Sequence, residues 1–148
     1  MFVRVAVLVL CAAAATAEPL DALFPPAPSR AWQVVGDRGE VPDAEERALG
    51  LRASRARHYT RARAGVTEAC TVELWWFARE AQAEAARAAV AQPDWWGRTA
   101  GALLVLAHGV RLDRVRGSRG DLSAECESLA ESAHARALAT LAAGGPTP

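Results

Sequence analysis

Arginines and aromatic side chains interleave through two neighbouring stretches, Leu51 to Arg63 and Cys70 to Phe77, and these residues are the best equipped in the chain for recognition chemistry. A guanidinium pairs with anions through a planar fork of donors, and aromatic faces accept cations and planar groups. Arg57, Tyr59, Arg61, Glu73, Trp75 and Phe77 on one sheet face, with Arg63 beside them, would form a flat surface able to stack rings and bind anions. A run of arginines ordinarily marks a solvated face. The rings placed between them favour a site for an unknown ligand or protein partner. The same face would serve equally for a homodimer, or be covered by the proline-rich N-terminal segment.

Catalytic and metal signatures are absent. His58, His108 and His134 stand far apart, with no second ligand at metal-binding spacing, so neither a metal nor a cofactor is expected. His108 reads as a turn residue and His134 as a helix-surface residue, both facing solvent. His58 reads as a hydrogen-bonded core residue beside Trp76. No glycine-rich phosphate loop, GxSxG elbow, HExxH or EF-hand pattern occurs. An exported binding or interaction module is therefore the leading reading, and a small extracytoplasmic enzyme with a site near His58 is the alternative.

Cys70 to Phe77 reads as a strand, because β-branched and aromatic residues crowd it and an alanine-rich helical pattern starts at Arg79. Trp75 and Trp76 must then point to opposite faces. A strand over about 53 to 64 precedes it as hairpin partner. Pairing Ala64 with Cys70 sets Ala62 against Val72, Thr60 against Leu74 and His58 against Trp76. The other face receives Arg61 against Glu73, Tyr59 against Trp75 and Arg57 against Phe77. This register separates a small apolar face from a cationic, aromatic one, which a one-residue slip would mix. Cys70, Val72, Leu74 and Trp76 are the better core set, so Trp76 is expected under the helices and Trp75 on the open face.

Around this hairpin, Glu18 to Arg30 reads as extended, with Leu20, Leu23 and Phe24 docked on the domain. Ala31 to Val35 is a candidate edge strand stopped by Gly36-Asp37-Arg38-Gly39. Asp43 and Glu46 have capping-box spacing for a helix over about 44 to 49, closed by Gly50. Arg79 to Gln92 is a helix offering Ala81, Ala85, Ala88 and Ala89 for close packing, ended by Pro93. Asp94-Trp95-Trp96-Gly97 reads as a loop, and 102–107 as a strand returning parallel to 70–77 in a β-α-β unit. His108-Gly109 then reads as a hairpin turn before a strand over 110–116, and Gly117 to Gly120 as a break. Ser123 caps an amphipathic last helix whose Leu122, Cys126, Leu129, Ala133, Ala137 and Leu141 share a side. The fold class is α+β, a single mostly antiparallel sheet with helices on one face.

Met1 to Ala17 has a basic start, an uncharged apolar run too short to span a bilayer, and Ala15-Thr16-Ala17 as a cleavage site. It reads as a signal peptide, giving 1–17 leader, 18–50 N-terminal segment, 51–142 α+β domain and 143–148 tail, with no membrane span after processing. Losing Arg4 leaves 16 basic against 17 acidic residues, so nothing draws the protein toward nucleic acid. Lys, Ile and Asn are absent, a bias that suits a GC-rich bacterial genome. Cys70 and Cys126 survive processing, and an even pair in a periplasmic or secreted protein favours a disulfide. Leu23-Phe24-Pro25, Trp32, Arg57-His58-Tyr59, Thr71 to Trp75 before an alanine-rich helix, and Leu103-Leu104-Val105 before His108-Gly109 follow in an order that resembles exported bacterial α+β domains of unknown function. The resemblance covers most of the mature chain and supplies no catalytic residue.

Overall fold

The computed structural model describes residues 18–144; the expected leader over 1–17 and residues 145–148 lie outside the described residues. Among the described residues six strands form one sheet: β1 (Gln33–Glu40), β2 (Leu51–Arg63), β3 (Val66–Phe77), β4 (Trp95–Ala100), β5 (Leu103–Asp113) and β6 (Gly117–Gly120). The order is β1-β2-β3-β5-β4, with β6 pairing the half of β5 that β4 leaves free. The helices are α1 (Glu18–Asp21), α2 (Ala44–Ala48), α3 (Glu80–Val90) and α4 (Ala124–Ala142). The chain is thus α+β as expected, and among the described residues every strand pair is antiparallel. No helix of the described residues is long and apolar enough to cross a membrane.

The β2–β3 hairpin turns on Ala64 and Gly65, both with positive φ, the two-residue geometry whose twist suits antiparallel strands. Arg63 therefore pairs Val66, and the register runs Tyr59 with Cys70, Arg57 with Val72, Arg55 with Leu74 and Ala53 with Trp76. This differs from the expected pairing by an odd number of residues. From Ala53 to Arg63 the β2 side chains consequently lie on the face opposite to the one expected relative to β3.

The helices are not on one face. On the first, Tyr59, Cys70, Val72, Leu74, Trp76, Trp96 and Leu103 pack against Cys126, Leu129, Ala130, Ala133 and Ala137 of α4 and against Leu20, Leu23, Phe24 and Trp32 of the N-terminal segment. On the second, Leu51, Phe77, Leu104 and Leu106 pack beneath Ala83 of α3, with Trp75, Trp95, Ala86 and Val90 at the margin. Trp76 is core, 6 % exposed, as expected. Cys70 and Cys126 are joined, their Cα atoms 5.5 Å apart, which pins α4 to the sheet centre.

Further departures follow from glycines and tryptophans. No parallel β-α-β pair forms, because Trp95-Trp96-Gly97 is strand β4, and 103–107 pairs antiparallel with both β3 and β4. β5 runs straight through His108-Gly109. Gly109 is required there because the Asp121 backbone crosses it, and a Cβ would sit 1.9 Å from the Asp121 carbonyl oxygen. β1 likewise continues through Gly36-Asp37-Arg38-Gly39, with a bulge between Val34 and Gly36. The helix caps match expectation: Asp43 and Glu46 form a capping box, and Ser123 accepts from the Cys126 amide.

Candidate binding surface

The expected face of Arg57, Tyr59, Arg61, Glu73, Trp75 and Phe77 does not exist as one surface. Arg57, Tyr59 and Arg61 lie on the α4 side, whereas Glu73, Trp75 and Phe77 lie on the α3 side. The arginines are engaged internally. Arg55 forks onto Asp21 at 2.7 Å, Arg57 onto Asp37 at 2.6 Å, and Arg61 bridges Glu68 and Glu125. Arg57 also lies 4.7 Å from the centre of the Phe24 ring, and Arg61 4.7 Å from that of Trp32. Hydrogen bonding from Arg57 outweighs burial and holds the Asp37 carboxyl below its usual range. Tyr59 is fully buried, and its hydroxyl donates to the Pro25 carbonyl at 2.7 Å, while burial raises its pKa. The row of cations thus fastens the N-terminal segment to the sheet.

The α3 side carries the free chemistry. Glu73 projects there beside Trp75, whose indole Nε1 donates to Glu73 Oε2 at 2.9 Å. His108 Nε2 approaches Glu73 Oε1 at 3.3 Å, and Trp95 stacks on the His108 ring with centroids 4.5 Å apart. Burial alone would raise the Glu73 carboxyl; the hydrogen bond and charge of His108, the hydrogen bond from Trp75 and the charge of Arg38 together outweigh it and hold the group below the ordinary range. His58 is on this side too, bonded through Nδ1 to Thr71 Oγ1 at 2.9 Å, not beside Trp76. His58, Thr71 and His108 form one lateral row across β2, β3 and β5. His108 is therefore a mid-strand residue. His134, expected in solvent, is half-buried with Nε2 donating to the Thr99 carbonyl at 2.8 Å and its ring edge-on to Trp96.

Two contiguous clefts flank Trp75, sharing it with Glu46 and Leu51. One, of about 380 Å³, runs along α3 and is lined by Leu49, Phe77, Ala85, Ala86, Ala89 and Val90 among others. The other, of about 220 Å³, lies over β1 and β2 and includes Arg38, Glu40, Ser54, Ala56, Glu73 and Trp95. Ala85 and Ala89, expected to pack on the sheet, instead face the first cleft, because Ala83, Ala86 and Val90 take the packing positions. Leu49 is left 68 % exposed at its rim. Among the described residues no group of three or more acidic, histidine or cysteine side chains is placed to hold a metal ion.

Trp95, His108, Arg38 and Leu49 were not singled out as site residues by sequence. The signal for Trp95 was present: Trp95-Trp96 repeats the adjacent pair Trp75-Trp76, and each pair splits one indole to each face. No known protein family, curated protein or solved structure matches this chain significantly.

Proposed function

We infer that this chain is an exported binding module that holds its ligand on the Trp75 side of the sheet, not on the arginine row. The observation that carries the reading is the pair of joined clefts around Trp75, on a face that α3 covers only in part. Apolar walls with a few convergent polar groups are the usual make-up of a ligand site. Export rests on the leader-like Met1 to Ala17 and on the Cys70–Cys126 bond, which belongs with an oxidising compartment. Intact mass of exported protein should begin at or near Glu18; retention of Met1 to Ala17 would sink that part. A small-molecule screen read by tryptophan fluorescence tests the rest. Hits should lose their response in Trp75→Ala, whereas hits unaffected by that change place the site elsewhere. A second copy on the same face would instead appear as concentration-dependent sedimentation abolished by Trp75→Ala.

The His58–Thr71 bond in line with the His108–Glu73 pair favours a second reading, an extracytoplasmic enzyme. His58→Gln separates the two: a binding module keeps its ligand response, and an enzyme relying on this base loses turnover.

A further inference from the structure

Resting on the reading of the Trp75 clefts as the binding site, we propose that their ligand is a small amphipathic cation, an amine or quaternary ammonium head on an apolar arm. The division of the walls carries the inference. The larger cleft is lined almost wholly by hydrocarbon from Leu49, Phe77, Ala85, Ala89 and Val90, so it suits an alkyl or aryl arm and offers little to a polar one. The smaller cleft carries Glu40, Glu46 and Glu73 against Arg38. Arg55 also borders it, but its register opposite Leu74 puts its side chain on the other face of the sheet, where its guanidinium pairs with Asp21. Arg38 is offset by Glu40, its partner at 3.1 Å. The remaining charge at this end is therefore acidic, and Trp75 and Trp95 border the same space. Indole faces beside a carboxylate are the surroundings in which ammonium groups bind best. Glu73 is suited to the role because Trp75 and His108 occupy only part of its acceptor capacity and it is held ionised. An anionic head would meet the Glu73 carboxylate with no free guanidinium beside it among the described residues, since Arg38 is paired with Glu40 and Glu46 is turned to the Asp43 amide, and a neutral head would gain nothing from that charge.

Decyltrimethylammonium, decyl sulfate and decyl maltoside, each titrated below its micelle-forming concentration into the mature protein, test the assignment by calorimetry and tryptophan fluorescence. The cationic probe should bind at least about tenfold more tightly than the other two, and Glu73→Gln should remove most of that preference. Lengthening the alkyl chain from hexyl to decyl should improve affinity about three- to fourfold per methylene that enters the α3 cleft. Ala89→Phe, a substitution at an exposed helix position that need not disturb folding, should fill the cleft and flatten that series. Equal binding of the three heads, with all weakened by Trp75→Ala, would overturn the cationic ligand while leaving the binding site standing. Failure of all three probes to saturate, or binding indifferent to both Trp75→Ala and Ala89→Phe, would overturn the site as well.

Discussion

The two faces of this sheet use the same strand for opposite ends. On the α4 side, Cys70, Val72, Leu74 and Trp76 lie under a nineteen-residue helix that is covalently tied to them, and the N-terminal segment closes what the helix leaves open. On the α3 side, Glu73 and Trp75 lie beside an eleven-residue helix rich in alanine, whose small side chains leave clefts. The arginines, which look most like recognition residues, are on the closed side. The comparison teaches that cation–aromatic interleaving describes an internal docking seam as well as it describes a binding face. The presence of paired acids, here Asp21, Asp37, Glu68 and Glu125, decides between the two.

The sharpest way to break that contrast is to truncate the two adjacent tryptophans separately. Trp76→Ala should cost about 3–5 kcal/mol as a large-to-small change in a closed core. Trp75→Ala should cost less than half as much, because solvent already reaches its surroundings. Urea unfolding of both variants with unchanged slopes measures this, and equal losses would mean that the α3 side is as closed as the other. Next in size, replacing Cys70 and Cys126 together by Ser should remove up to about 4 kcal/mol, since the bond closes a loop over a sequence separation of 56. The urea midpoint should fall accordingly. Hydrogen exchange should quicken in α4 well before it does in α3.

Smaller, and confined to the seam between the N-terminal segment and β2, is the effect of Tyr59→Phe. It strands the Pro25 carbonyl in a buried site and should cost about 1–3 kcal/mol. Because burial raises the Tyr59 pKa in the folded chain, its contribution is complete below the ordinary tyrosine range. It is lost as pH rises toward the folded value. Wild type should therefore lose stability in the alkaline limb more steeply than Tyr59→Phe, as thermal melts across that range would show.

The α+β class, the helix caps, the disulfide pair and the burial of Trp76 were legible because each depends on local pattern or on the period of one strand. The hairpin register was not. Ala64 takes a left-handed conformation without the Asn or Asp that usually announces such a turn, so the loop read as longer than it is. Sorting the faces by polarity then favours the wrong pairing, because arginines are expected to stay out of a covered face. Here ion pairs and ring stacking satisfy Arg55, Arg57 and Arg61 beneath or beside the N-terminal segment. Gly109 and Gly36 misled in a related way. Each reads as a turn residue, but Gly109 answers the approach of the Asp121 backbone and Gly36 borders a bulge inside a strand. The candidate site suffered most, because a register error of odd length exchanges faces, and a surface assembled from two strands is then divided.

The smallest expected effect lies at the centre of the open face, at Glu73. Glu73 accepts from Trp75 and His108, and its folded pKa is depressed, so it binds a proton less readily folded than unfolded. Its stabilisation is therefore present above the ordinary carboxylate range and disappears as pH falls through the lower folded value. Glu73→Gln keeps one carbonyl acceptor for Trp75 or His108 while removing the charge, so it should cost under about 1 kcal/mol at neutral pH. The difference from wild type should vanish on acidification. On the closed face, Asp37→Asn should show the same direction of pH dependence, because Arg57 depresses that carboxyl also, but muted by its exposure to solvent. Melting temperatures of the two variants and wild type from neutral pH down to about pH 3 give the comparison. If Glu73→Gln were indistinguishable from wild type at neutral pH, Glu73 would contribute nothing to the fold. If the gap widened in acid, the sign of its shift would be reversed, and Glu73 would be a carboxyl that burial keeps protonated.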